Sequence, residues 1–82
     1  MTPTELLAYC ARKRAECKWF GLPEPRRICF TVPRIATGMR MRVAPGLMGD
    51  VLSVNEKRET TVCVDIDKVE AYARRVLAGR QP

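Results

Sequence analysis

The sequence predicts an α+β fold in the order α-β-β-β-β-α, with an antiparallel four-stranded sheet or partly open SH3-like barrel packed by N- and C-terminal helices. Three observations predict it. Apolar residues recur at helical spacing near both ends of the chain. Between residues 27 and 66 they alternate with polar ones instead. A capping pattern opens each helical stretch, and proline and glycine punctuate the middle. The 82 residues are expected to form one domain, 1–82, around one core.

The first element begins at Thr2-Pro3-Thr4-Glu5, a capping box with proline at the first helical position. Its helix is expected to run to about Phe20, where Gly21 supplies a left-handed stop and Leu22 the apolar contact of a Schellman ending. At about 100° per residue, Leu6, Tyr9, Cys10, Cys17 and Phe20 form one stripe, interrupted by Lys13. Ala8, Ala11, Ala15 and Trp19 form a second stripe on the opposite side.

Leu22-Pro23-Glu24-Pro25 reads as a stiff, extended connector. A strand follows from Arg27 to Val32, with Ile28, Phe30 and Val32 inward. Met39, Met41 and Val43 alternate with Arg40 and Arg42 in a second strand, and Ala44-Pro45-Gly46 turns the chain. A third strand is placed at Asp50–Val54, a charged hairpin loop at Asn55–Glu59 and a fourth strand at Thr61–Ile66. Asp67 with Glu70 is expected to cap the last helix, whose buried stripe is Val69, Tyr72, Ala73, Val76 and Leu77.

The chain carries a net charge of +6, and the excess is confined to one half. Residues 1–48 hold nine Lys/Arg against three Glu, whereas residues 49–82 hold six of each sign. Such asymmetry favours nucleic acid, a nucleoprotein or an acidic protein surface as partner. Strand alternation puts Arg27, Arg40 and Arg42 on outward faces, and adjacency of their strands would make an arginine ladder suited to phosphate contacts. Arg12, Lys13, Arg14 and Lys18 add to this surface from the first helix, with Trp19 as a stacking residue. The bland alternatives are solvated charges, with Arg12 paired to Glu16, and Trp19 packed on Leu22 and Pro23. The Ala8/Ala11/Ala15/Trp19 stripe offers a different surface, fit for a dimer seam or for docking on a host protein.

Other chemistry finds little support. There is no histidine, no C-x-x-C pair, no G-x-S-x-G and no phosphate-cradling glycine loop, so neither a cofactor nor catalysis is expected. Cys10 and Cys17 lie roughly 10.5 Å apart along a helix, too far to share one zinc. Cys29 and Cys63 meet only if their strands are neighbours in the right register, so all four cysteines are read as buried thiols. Asp65, Asp67 and Glu70 suit Mg²⁺ in principle, but capping and the helix dipole explain them. No segment reaches the ~20 apolar residues of a membrane span, and the start of the chain lacks signal-peptide character, so a cytoplasmic location is expected.

Val43, Gly46, Gly49, Val51, Val54, Val62 and Val64 give residues 39–66 the order V-x-x-G-x-x-G-x-V-x-x-V, then V-x-V. This resembles a KOW segment, the small SH3-like barrel unit of certain ribosomal and transcription-elongation proteins. The resemblance implies a tight bend at Gly49 and binding to RNA or to a protein surface. In size, basicity and compactness alone, the chain is also similar to small accessory proteins of bacteriophages and mobile elements, anti-CRISPR inhibitors of host defence among them.

Overall fold

The computed structural model describes residues 2–79. Its elements are α1 (Pro3–Trp19), β1 (Arg27–Val32), β2 (Arg40–Ala44), β3 (Leu47–Val54), β4 (Thr60–Asp65) and α2 (Ile66–Gly79). The strands form one open antiparallel sheet in the order β1-β4-β3-β2. Thus β2, β3 and β4 are successive hairpins, while β1 adds to the far side of β4. The sheet does not close into a barrel.

The sequence explains the helix ends. Thr2 accepts a hydrogen bond from the Glu5 amide at 3.1 Å, and Glu5 accepts one from the Thr2 amide, completing the capping box. At the other end Gly21 takes φ +67 and donates to the Lys18 carbonyl, while the Leu22 amide donates to that of Cys17. This is the expected Schellman pattern, although α1 ends at Trp19 and Phe20 is its cap. Phe20 therefore leaves the apolar stripe and is 71% exposed. Only Pro3, Leu6 and Cys10 of α1 are buried.

The last helix starts two residues earlier than its sequence pattern suggests, with its cap at Asp65 instead of Asp67. Ile66 opens α2, and Asp65 caps it by accepting from the Asp67 amide at 2.9 Å. Asp67 and Glu70 are consequently free of the capping role assigned to them and hold Arg14 instead.

Three strands also differ in their bounds: β4 runs Thr60–Asp65 instead of Thr61–Ile66, since Ile66 opens α2, and β2 and β3 shift at their starts. β2 begins at Arg40, leaving Met39 outside it and highly exposed. β3 begins at Leu47, not Asp50, because Pro45 and the positive φ of Gly46 make a two-residue connection pairing Ala44 with Leu47. Gly49 is thus inside a strand, paired with Met41. A Cβ there would overlap Val62 Cγ1 and come within 2.8 Å of Val64 Cγ2 and 2.9 Å of the Cys63 carbonyl. A register shift between Val51 and Ser53 leaves Leu52 as the extra residue of a bulge.

The long β1–β2 connection crosses one end of the sheet and is pinned there by Thr60. This fully buried hydroxyl donates to the Arg34 carbonyl at 2.6 Å and accepts from the Ala36 amide at 3.0 Å. The Val51 amide donates to the Met39 carbonyl where the connection reaches β2.

Leu6 and Cys10 from α1 and Ile66, Val69 and Ala73 from α2 meet Ile28, Val32, Met41, Leu47, Val62 and Val64 from the sheet. α1 packs chiefly on α2, which lies against β3 and β4. The helices cover one face of the sheet and leave the other open. Among the described residues, no helix is long and apolar enough to cross a membrane.

Candidate binding face

The open face carries the alternate residues of each strand. Cys29, Cys63, Asp50 and Arg40 stand side by side across β1, β4, β3 and β2, by the pairings Cys29–Cys63, Asp50–Cys63 and Arg40–Asp50. Arg27 opposes Asp65 along the ladder, and Arg42 opposes Met48. Arg27, Arg40 and Arg42 are all exposed.

The proposed arginine ladder does not arise from adjacent strands, because β1 and β2 are opposite edges of the sheet. Arg27 and Arg40 are brought toward each other by Asp50 instead. Its carboxylate lies 3.5 Å from Arg27 Nη1 and 3.7 Å from Arg40 Nε. These exposed pairs are weak, worth at most about 1 kcal/mol each, so water or a stronger anion competes for both guanidinium groups.

The residues of α1 divide among three surroundings. Arg12 and Lys13 lie over the ring of Tyr9, at 5.4 and 5.6 Å from its centre. The Tyr9 hydroxyl in turn donates to the Cys29 carbonyl at the free edge of β1. The hydrogen bond to Cys63 and desolvation push the Cys29 thiol up, and the positive charge of Lys13 opposes this only in part. Glu16 pairs with Lys13 at 3.5 Å, not with Arg12.

Arg14 has a different environment. It bonds Glu70 and Asp67, each at 2.8 Å, and Glu24 at 3.3 Å. The hydrogen bond to Glu70 contributes most to raising the proton affinity of its guanidinium. Arg14 therefore ties α1 to α2 and to the Pro23–Pro25 connector. Asp67 and Glu70, considered as Mg²⁺ ligands, are the acidic side of this cluster.

Lys18 and Trp19 sit at the C-terminal end of α1. Trp19 is 84% exposed and does not pack as a satellite core residue; Phe20 and Leu22 are exposed beside it in the chain. The face bearing Ala8, Ala11 and Ala15 is exposed as well. The sequence-predicted residues thus form a sheet group of Arg27, Arg40 and Arg42, a bordering pair of Arg12 and Lys13, a structural Arg14, and a helix-end group of Lys18 and Trp19.

Cysteine placement differs from expectation. Cys10 is fully buried, but Cys17 and Cys63 are partly exposed and Cys29 is exposed. Asp50 and the Cys29–Cys63 pair belong to the face and were not singled out for it. Their strand parity was readable, but the order β1-β4-β3-β2 was not. A cleft of about 560 Å³ opens between Leu6, Tyr9, Phe30, Val32, Leu47 and Tyr72, and no carboxylate lines it. Among the described residues, no three His, Cys, Asp or Glu side chains converge as metal ligands. No family model, curated protein or solved structure matches the chain.

Proposed function

We propose that the protein is a non-catalytic binding module whose open sheet face engages the phosphate backbone of nucleic acid, free or within a nucleoprotein complex. The observation that carries this reading is the exposure of Arg27, Arg40 and Arg42 on a face bearing no helix, with Arg12 and Lys13 at its β1 border. Planar guanidinium groups suit bidentate phosphate contacts. The face carries no aromatic side chain, which favours backbone contact over base stacking and hence weak sequence preference.

Fluorescence anisotropy of labelled DNA and RNA over a salt series tests it. Binding at near-physiological salt, with a log–log slope corresponding to about three or more phosphates, supports the reading. The double variant Arg40→Ala/Arg42→Ala then binds more weakly with a shallower slope. Affinity and slope unchanged by that double variant exclude this face.

A second reading follows from Trp19, Phe20 and Leu22, three large apolar side chains exposed within four positions. Together with the alanine face of α1 they suit a protein partner, as in a phage-type inhibitor or adaptor that blocks a host complex. Here Trp19→Ala abolishes complex formation, whereas the arginine changes alter chiefly the association rate.

A further inference from the structure

We propose that Cys29 and Cys63 form a redox-active dithiol on the open sheet face, which closes to an intramolecular disulfide by exchange with a small disulfide such as oxidised glutathione. The proposal is independent of what the face binds.

Register and access carry it. Cys29 and Cys63 are direct partners on neighbouring strands, 34 residues apart in the chain, with their sulfur atoms 2.7 Å from each other. The Ile66 amide donates to the Arg26 carbonyl. Hydrogen-bonded pairs therefore fall at 28/64 and 30/62, and Cys29–Cys63 is one of the close, non-hydrogen-bonded pairs. Cα atoms in such pairs lie about 4.5 Å apart, within the disulfide range of roughly 4.4–6.8 Å. The outward direction of the Cys29 carbonyl agrees, since it accepts from Tyr9 at the free edge of β1.

The other two thiols are poorly placed to compete. Cys10 is sealed in the core, and Cys17 is on α1. Cys29 is exposed and Cys63 partly so, which admits a small disulfide.

The exchange balances in two steps. One cysteine thiolate attacks a sulfur of the small disulfide, breaking its S–S bond and expelling one small thiolate. The other cysteine thiolate then attacks the protein-side sulfur of the mixed disulfide, forming the Cys29–Cys63 bond and expelling the second. The two protein thiols lose two protons and two electrons; the small disulfide gains them and becomes two thiols.

The bond would staple β1 to its sole partner in the sheet, β4. It would also form beside Asp50, in the same row as Arg40. A cross-link closing so long a segment restricts the unfolded chain, so oxidation raises stability.

The experiment incubates the purified full chain with oxidised or reduced glutathione. It reads free thiols and intact mass under denaturing, non-reducing conditions, then maps the linked peptides and measures Tm. The expected result is loss of two thiols and two hydrogens per chain, a Cys29–Cys63 linked peptide, and a Tm increase of roughly 10 °C. Cys29→Ser and Cys63→Ser, with far-UV circular dichroism confirming their folds, stop at the thiol or the glutathione adduct. The proposal is overturned if the wild type keeps all four thiols, stops at the glutathione adduct, or links through Cys17 or between chains.

Discussion

Arg14 of α1 and Glu70 of α2 are joined by a 2.8 Å ion pair, and Glu70 is the most buried of the three carboxylates around that guanidinium. This contact turns a residue from the basic N-terminal half into a fastener between helices. Removing a buried charge partner strands the other charge, whereas removing an exposed one lets water replace it. Glu70→Gln should therefore lower Tm more than Asp67→Asn, and Glu24→Gln should change it little. Thermal unfolding of the three variants at one pH gives the ranking.

Gly49 is required by the approach of β4, not by its own backbone angles. Gly49→Ala places a methyl group against Val62, Val64 and the Cys63 carbonyl, two of them in the core and one in the ladder. Overpacking of this kind costs about 1–3 kcal/mol. Urea denaturation should show a lower midpoint with an unchanged slope.

Thr60 holds the β1–β2 connection through one donated and one accepted hydrogen bond. Thr60→Val keeps the shape and leaves the Arg34 carbonyl and Ala36 amide without that partner. The expected loss is about 1–3 kcal/mol. Faster hydrogen exchange of the Ala36 amide would localise the effect to the connection.

Asp50 sets the anion affinity of the open face by competing for Arg27 and Arg40. If phosphate binds there, Asp50→Asn should tighten nucleic-acid binding roughly threefold to tenfold and steepen its salt dependence. The same change should leave binding through Trp19 unaltered. Anisotropy titrations of Asp50→Asn and Trp19→Ala side by side separate the two surfaces.

Cys29 supplies a pH dependence. Its hydrogen bond to Cys63, followed by desolvation, pushes its thiol up from 9.0 to about 11, against the opposing charge of Lys13. Tyr9 bonds its carbonyl, and Asp50 with Arg27 stands beside the pair on the same face. Above pH 9.0 the unfolded chain ionises this thiol while the folded chain retains its proton, so unfolding gains relative to folding. The contribution is complete below pH 9.0 and is lost as pH rises toward 11. Under reducing conditions, Cys29→Ser should flatten that alkaline decline. Burial raises the Cys10 thiol also, so part of the decline should persist in this variant.

The local elements were largely legible in the chain. Thr2-Pro3-Thr4-Glu5 and Gly21-Leu22 bounded α1 through backbone hydrogen bonds made within a few residues. Period-two alternation located β1 and the inward sides of Val62 and Val64. Boundaries failed where two signals competed, as at Asp65 and Asp67, both able to cap a helix starting nearby.

Sequence by itself determined the α-β4-α order, the capping box and Schellman ending of α1, and the outward parity of Arg27, Arg40 and Arg42, because these depend on neighbours along the chain. Only the tertiary structure decided that β1 pairs with β4, that Cys29 faces Cys63, that Asp50 lies between Arg27 and Arg40, and that Arg14 is drawn to Glu70. Each of these joins segments remote in sequence. Their pairing was selected by how the whole apolar face could be buried at once, and no local pattern encodes that choice.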